Sequence, residues 1–318
     1  MNYPLVEILL ASYNGEKYIS EQINSILKQD YENFKILIRD DGSTDKTPEI
    51  ISEFERDYHD KIKIIRDNKT CKSPGANFFE LIRNANTEYI MFSDQDDYWL
   101  PQKISVTLKN MLRLENGSPN KNNTPVLVYA DSEIVDADLK NPQGVFINEH
   151  YQKFSELLSH YCVTGCLMMI NKALYKNLGE YKSEMGLHDR WIALYACAMG
   201  IIYHVPEVVM LYRQHSENVI GSEIDKVTSL QRIKNFITAP TKKIASFKYE
   251  MLKGLNMAKL FKSLYEKNLR PEILNELNNF INLYSKTGMN KFSRVNNLIK
   301  SGYIHKDFIT ALKQIIFI

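Results

Sequence analysis

Strand-like and helix-like segments alternate through the first hundred residues, and this alternation constrains the fold more than any other feature. Short apolar runs predict strands at residues 5–11, 34–38, 62–65 and 89–92. Apolar residues at helical spacing predict helices between them, at residues 17–28, 47–58 and 76–85. Thr47 and Pro48 are expected to cap and open the second helix. Strands separated by helices in this way predict an α/β fold with a mostly parallel, doubly wound sheet.

The second half of the chain changes character near residue 225. Further strands are predicted at residues 126–130, 162–170, 201–205 and 208–213, and further helices at 171–178, capped by Asn171, and at 189–199. Beyond residue 225 the pattern is wholly helical, with amphipathic stretches at residues 233–237, 244–264 and 272–284. Residues 1–224 carry a net charge of −9, whereas residues 225–318 carry +11. We therefore predict an α/β domain over residues 1–224 and a basic helical domain over residues 225–318.

Three carboxylates follow the strand predicted at residues 89–92, in the segment Ser93-Asp94-Gln95-Asp96-Asp97-Tyr98-Trp99. Open α/β sheets bind their ligands at the carboxyl ends of the strands. Carboxylates this close repel one another, and a hard cation such as Mg²⁺ or Mn²⁺ would relieve that repulsion. The alternative is a solvated acidic turn before a helix that Pro101 opens.

The turns after the first two strands carry further polar residues. Ala11-Ser12-Tyr13-Asn14-Gly15 lacks both G-x-G-x-x-G and the phosphate-binding P-loop pattern, but Tyr13 could stack on a base. The alternative is a plain Asn-Gly turn, with Ser12 or Asn14 capping the next helix. After the second strand, Asp40 or Asp41 could accept a hydrogen bond from N3–H of a pyrimidine. The other aspartate is expected to serve only the Asp-Gly turn.

These three clusters, in this order and at these separations, resemble the family 2 glycosyltransferases, which have a GT-A fold. The likeness covers about residues 4–220. It implies that the first turn and the second strand bind a nucleotide-sugar, with Asp41 on the pyrimidine edge. The other residues implied in nucleotide-sugar binding are Ala11, Ser12, Tyr13, Asn14, Asp94 and Arg213. Asp96 would hold Mn²⁺ or Mg²⁺ on the diphosphate. Asp97 would be a supporting carboxylate next to this ligand, without binding the ion itself.

The resemblance also implies a catalytic base. Asp189 matches an acidic position just before a helix, which serves as the general base of inverting members. Many members have Glu-Asp where this chain has His188-Asp189, so the role of position 188 is open. The alternative is that Asp189 caps the helix and His188 lies at the surface. His215 could supply a metal ligand and Arg213 a charge clamp on the diphosphate, or both could belong to a structural loop.

Four residues are candidates for the sugar or acceptor pocket: Trp99, Gly165, His188 and Trp191. The two tryptophans could form a stacking platform for a sugar, but buried aromatic residues are the alternative for both. Gly165 would allow a ligand to approach closely, or would serve packing.

The motifs look most like those of the rhamnosyltransferase-like branch of bacterial enzymes. That branch implies transfer from dTDP-rhamnose to a lipid-linked glycan of the cell wall, capsule or O-antigen. Enzymes with similar motifs use UDP-hexoses or UDP-N-acetylhexosamines, and this alternative stays open. A nucleotidyltransferase is disfavoured because such enzymes usually have a glycine-rich N-terminal loop. A non-catalytic nucleotide-sugar-binding scaffold is disfavoured because unused clustered carboxylates would lower stability.

The basic C-terminal helices predict a docking role on an anionic membrane surface or on a second subunit. Nucleic acid is not expected as a partner, because the basic residues are scattered without base-reading motifs. No apolar run reaches the length of a membrane span, and no signal peptide or zinc or redox cysteine spacing is recognisable. We therefore expect a cytoplasmic protein that is peripheral at the cytoplasmic face of the membrane.

Overall fold

The computed structural model describes residues 4–120, 123–146, 153–159, 163–215, 240–285 and 290–300, together with residues 303, 314 and 315. The chain forms two compact units. The first comprises residues 1–150, 162–183 and 187–216, and the second comprises residues 151–161, 184–186 and 217–318. The predicted boundary at residue 224 lies outside the described residues and stays a prediction.

The first unit is built on one sheet, to which nine strands contribute within the described residues. Their order across the sheet is β3-β2-β1-β4-β8-β6-β9-β5, and β7 pairs with β6. The strands β1 to β4 are mutually parallel, as are β6 and β9, whereas β8 is antiparallel to both of its neighbours. The α/β prediction is therefore confirmed. The strands are β1 Val6–Ser12, β2 Phe34–Asp40, β3 Ile62–Ile64, β4 Tyr89–Ser93, β5 Tyr98–Trp99, β6 Val126–Val135, β7 Gly144–Phe146, β8 Met168–Asn171 and β9 Ile201–Arg213.

Helices cover both faces of this sheet, which explains why its strands are apolar on both sides. The helices of this unit are α1 Ile19–Leu27, α2 Thr47–Asp57, α3 Pro74–Asn84, α4 Lys103–Gly117, α6 Lys172–Tyr175 and α7 His188–Met199. The helices α1, α2 and α4 share one hydrophobic core with alternate residues of β1, such as Ile8 and Leu10. Leu9 is buried as well but lies outside that core, in keeping with the two-residue period of a strand.

Three local predictions differ from the structure. Residues 165–167 form a 3₁₀ turn before β8, so the predicted strand at 162–170 is shorter, and Cys162 lies outside the described residues. The strands predicted at 201–205 and 208–213 form the single strand β9, whose pairing with β6 shifts register opposite Asp131. Thr47 is the first residue of α2 instead of its cap, and Asp45 accepts a hydrogen bond from its N–H. The predicted cap at Asn171 is confirmed, because its side chain accepts from the N–H of Leu174.

The second unit is helical over its described residues. It contains α5 Phe154–Ser159, α8 Pro240–Tyr265, α9 Pro271–Tyr284 and α10 Lys291–Lys300. Aromatic side chains join these helices, with ring centroids 5.7 Å apart for Phe154 and Phe261. The helices predicted at 244–264 and 272–284 lie within α8 and α9, and the stretch at 233–237 lies outside the described residues. Of the helices that the structure describes, none combines the length and hydropathy needed to cross a membrane.

Candidate active site

The turns after β1, β2 and β4 meet at one edge of the sheet, because these neighbouring strands are parallel and in register. The side chain of Gln95, between the two aspartates of the D-x-D segment, joins two of the turns. Its Oε1 accepts from the N–H of Tyr13 at 2.8 Å, and its Nε2 donates to the carbonyl of Tyr13 at 2.9 Å. A Cβ atom on Gly15 would lie 2.3 Å from Gln95 Oε1, so glycine makes room for this link. The structure thus brings the three predicted clusters together.

Asp40 and Asp41 have different roles at this edge. Asp40 accepts hydrogen bonds from the N–H of Gly42, both donor groups of Ser43 and the hydroxyl of Ser12, so it holds the turn. Asp41 is buried and accepts from Arg39 at 3.1 Å and from the N–H groups of residues 71 and 72. A carboxylate has about four acceptor positions. Arg39 and the two N–H groups already occupy three of these positions, and the predicted contact of Asp41 with a pyrimidine stays a prediction.

In the turn after β1, some side chains hold the turn together and one is exposed to solvent. Ser12 is buried on Asp40, and Asn14 accepts from the N–H of Thr44 at 2.9 Å, so both side chains build the turn. Ala11 is half-buried near the end of β1. Tyr13 is 55% exposed, which leaves its ring available to a base.

The acidic centre lies directly after β4. Ligand atoms of Asp94, Asp97 and Cys166 lie within 4.8 Å of one another. Burial and the charges of Asp96 and Asp189 raise the pKa of Asp94 to about 7. Burial and the negative charges of Asp96 and Asp94 raise the pKa of Asp97 well above its usual range. These carboxylates are therefore crowded together at a cost in free energy.

One buried cation lies near the acidic centre. The ammonium group of Lys103 donates to the carbonyl of Cys166 at 2.6 Å and lies 3.8 Å from the ring centroid of Trp99. Burial lowers the pKa of Lys103 to about 8, although the nearby carboxylates oppose that shift. Sequence reasoning missed this lysine. Its helical spacing with Ile104, Thr107 and Met111 on the buried face of α4 could have indicated it.

Asp96 is held by the last residue of β9, Arg213, and by His215, two residues beyond it. Nε2 of His215 lies 2.9 Å from Oδ2 of Asp96, and Nε of Arg213 donates to the backbone carbonyl of Asp96 at 2.7 Å. The guanidinium of Arg213 also donates to Glu21 and to the carbonyl of Ala137, and it is almost fully buried. Arg213 thus braces the Asp96 segment. Its predicted contact with the diphosphate stays a prediction.

The candidate base lies in the first turn of α7. Asp189 is buried, accepts from the N–H of Arg190 at 2.7 Å, and is near enough to Asp94 for its charge to affect the Asp94 pKa. The N-cap residue is Leu187, so the alternative that Asp189 caps the helix is wrong.

His188 is not at the surface either. It is 5% exposed, and its ring centroid lies 4.0 Å from that of Phe78 and 5.1 Å from that of Phe92. Burial lowers its pKa to about 3, so the ring is neutral, and neither ring nitrogen has a hydrogen-bond partner among the described residues. A Cβ atom on Gly165 would lie 2.4 Å from His188 Nε2. Gly165 therefore serves packing against His188.

The proposed sugar platform is wrong. Trp99 and Trp191 are 1% and 0% exposed, so neither presents a ring face to a ligand. Both tryptophans follow acidic motifs closely in sequence, but their side chains enter the core. The alternative, buried aromatic residues, matches the structure.

The donor set at this edge fits a hard divalent cation. Asp94 and Asp97 lie together with the thiol of Cys166, and the charge of the neighbouring Asp96, which His215 contacts, acts on both carboxyl groups. Carboxylate oxygens suit Mg²⁺ and Mn²⁺. The assignment of Asp96 and His215 as the ligands of the ion stays a prediction.

Comparison with known proteins identifies the family of this chain and agrees with its fold. The sequence model of the family described as glycosyl transferase family 2 matches residues 7–179, more than half of the chain. The chain therefore belongs to glycosyltransferase family 2, and it is a glycosyltransferase. This membership sets aside the nucleotidyltransferase and scaffold alternatives.

Two relatives carry more specific names. The chain is 31% identical over 241 residues to the dTDP-rhamnosyl transferase RfbG of Shigella flexneri, covering 70% of this chain and 78% of that one. It is 32% identical over 166 residues to the E. coli enzyme WfgD, covering 52% of this chain and 59% of that one. WfgD is named as a UDP-Glc:α-D-GlcNAc-diphosphoundecaprenol β-1,3-glucosyltransferase. The predicted resemblance to rhamnosyltransferase-like enzymes is confirmed.

Solved structures of low sequence identity share the fold. The S. aureus TarS 1–349 structure in complex with UDP-GlcNAc has a TM-score of 0.55 at 16% identity, covering 93% of this chain and 80% of that chain. The Pyrobaculum calidifontis mannosyltransferase PcManGT, in complex with GDP-Man and Mn²⁺, has a TM-score of 0.53 at 15% identity, covering 100% of this chain and 86% of that chain. The predicted GT-A fold is confirmed.

Proposed function

We propose that this chain is a metal-dependent, inverting glycosyltransferase that moves rhamnose from dTDP-rhamnose onto a lipid-linked glycan. One observation carries the proposal: Asp189, in the first turn of α7, lies beside the D-x-D carboxylates at the sheet edge where the first turn and Asp41 also lie. A base and a diphosphate site must lie this close, because both act on the same anomeric carbon.

Different residues bind the nucleotide, hold the cation and take the acceptor proton. Asp41 and Tyr13 bind the base of the nucleotide, and Asp96 and His215 would hold the cation on the diphosphate. A bound cation neutralises negative charge on the leaving nucleoside diphosphate. Asp189 takes the proton of the acceptor hydroxyl as that oxygen bonds to the anomeric carbon and the bond to the diphosphate breaks. Attack from the face opposite the diphosphate inverts the configuration.

The donor is tested by thermal-shift binding with Mn²⁺ against a panel of dTDP- and UDP-sugars. The relative RfbG supports dTDP-rhamnose, and we expect that donor alone to raise the melting temperature. Stabilisation by a UDP-hexose or UDP-N-acetylhexosamine would replace rhamnose by the alternative donor, which the relative WfgD favours. No response to any nucleotide would contradict the whole donor site.

A relative and helix α10 support the proposed acceptor and location. WfgD is named for an acceptor linked to diphosphoundecaprenol, a lipid, and a lipid-linked acceptor requires work at a membrane surface. On α10, Phe292 and Ile299 are 84% and 53% exposed, seven residues apart on one face, and Lys291 and Lys300 flank them. Apolar side chains with basic neighbours suit an anionic bilayer. We infer peripheral binding at the cytoplasmic face, in cell-wall or capsular polysaccharide synthesis.

Vesicle flotation tests the membrane interaction. The full chain should float with vesicles that contain anionic lipid and not with neutral ones, and Phe292→Ser should weaken flotation. Dimerisation in solution that Phe292→Ser abolishes, without flotation by the wild-type chain, would favour a second subunit as the partner of this face.

A further inference from the structure

The ring of Tyr18, the residue that precedes α1, lies close to both of the side chains that hold Asp96. Its centroid is 4.7 Å from that of the His215 ring and 4.6 Å from the guanidinium carbon of Arg213. Tyr18 itself is buried, and the described residues offer its hydroxyl no hydrogen-bond partner. The ring, and not the hydroxyl, is therefore the part of Tyr18 that makes these contacts.

Asp96 depends on both neighbours of this ring. His215 contacts its carboxylate at 2.9 Å, and Arg213 binds its backbone carbonyl at 2.7 Å. Glu21, in the first turn of α1, accepts from the same guanidinium, so Arg213 contacts the carboxylate of Glu21 as well as the ring of Tyr18. Tyr18 and Glu21 are thus linked to Asp96 only through other side chains.

We propose that Tyr18 is a positioning residue that fixes the carboxylate of Asp96 for the cation and the diphosphate, with Glu21 assisting through Arg213. A guanidinium over an aromatic face is held by the ring quadrupole, and this contact is strengthened when the pair is removed from water. Groups that orient a metal ligand change metal affinity about 10- to 100-fold when they are removed. The inference rests on the proposed metal-dependent binding of a diphosphate by Asp96.

Calorimetric titration of the full chain with dTDP and with UDP, each in Mn²⁺ and in EDTA, tests the proposal. For each nucleotide, the quantity of interest is the affinity in Mn²⁺ divided by the affinity in EDTA. Base recognition contributes equally to both affinities, so it cancels in this ratio. Tyr18→Leu should lower this ratio about 10-fold or more, because the metal ligand is no longer held. Tyr18→Phe keeps the ring and should retain the wild-type ratio. Tyr58→Leu, at the end of α2 and stacked on Phe54, is the matched control and should also retain it.

A second variant keeps the test decisive if Tyr18→Leu unfolds. Glu21 is half exposed, so Glu21→Gln should fold and should lower the ratio by a smaller factor, about 2- to 10-fold. Glu49→Gln, in the first turn of α2, is its control. An unchanged ratio in Glu21→Gln, or an equal loss in Tyr18→Leu and Tyr18→Phe, would overturn the inference.

The nucleotide affinity in EDTA distinguishes a role in positioning Asp96 from a general structural role of Tyr18. If Tyr18→Leu weakened binding equally in Mn²⁺ and in EDTA, the ring would have only a structural role and the inference would be wrong. If the wild-type chain bound no more tightly in Mn²⁺ than in EDTA, the metal-dependent function would fail and the inference with it.

Discussion

The two ends of β4 carry buried carboxylates in opposite situations. At its start, Glu115 of α4 accepts hydrogen bonds from the hydroxyl of Tyr89 at 2.6 Å and the amide of Asn171 at 2.8 Å. Just past its end, Asp94 and Asp97 lie close to each other and to Asp96, with burial and mutual repulsion acting on them. A buried carboxylate with donors contributes to stability, whereas crowded carboxylates lower it unless a ligand compensates. The comparison separates a structural carboxylate from those proposed to act at the site.

Replacing Asp96 should have the largest effect on function. We expect Asp96→Ala to lower transfer at least about 1,000-fold, because the cation loses its ligand on the diphosphate. The stability of the folded protein should change little, because losing one of the repelling charges offsets losing the contact with His215. Product formation and the melting temperature without metal are the measurements. Asp138→Ala, at an exposed turn, is the control, and full activity of Asp96→Ala would refute the metal assignment.

Asp189→Asn should separate binding from turnover. The amide is nearly the same shape but cannot take the acceptor proton, so we expect kcat to fall about 100- to 10,000-fold. Donor affinity, measured by titration, should stay within about threefold of wild type because Asp189 is expected to act on the acceptor. Undiminished turnover would contradict its role as the base.

Glu115→Ala tests the other end of β4. It removes the acceptor of both Tyr89 and Asn171 in a buried place, so we expect a loss of about 2–4 kcal/mol in the free energy of unfolding. Nucleotide affinity should not change. Glu88→Ala in the same neighbourhood removes only an exposed ion pair with Lys172 and should cost about 0–1 kcal/mol. Denaturant unfolding measures both, and a larger loss in Glu88→Ala would contradict the structural role of Glu115.

The smallest effect concerns pH. In the metal-free protein the pKa of Asp94 is raised to about 7, above its unfolded value of about 4. Between these values the folded state binds more protons than the unfolded state, so the contribution of Asp94 to stability is lost as pH rises from about 4 to about 7. Asp94→Asn should therefore become more stable relative to wild type across that window. Melting temperatures of both proteins in EDTA at pH 5 and pH 8 check this, and an opposite trend would show that Asp94 is not crowded.

The local pattern of the sequence predicted much of the fold. Strands β1 to β4 are short apolar runs and their helices repeat apolar residues at helical spacing, and the chain displays both signals without its tertiary context. The meeting of the three acidic and polar clusters followed from parallel strands, whose carboxyl ends share one edge. Residues after those strands, such as Asp41 and Asp96, could therefore be named from sequence.

Side-chain direction and long-range contact could not be predicted in this way. Trp99 and Trp191 stand beside acidic motifs but point into the core, and a motif does not show which way its neighbours point. Gln95 reaches Tyr13, which is 82 residues away, and Arg213 reaches Glu21, which is 192 residues away. The local apolar patterns of the sequence thus determined the strands, and with them the edge of the sheet at which the site lies. Which side chains hold that site was decided by the tertiary structure, because contacts between distant residues exist only once the sheet has formed.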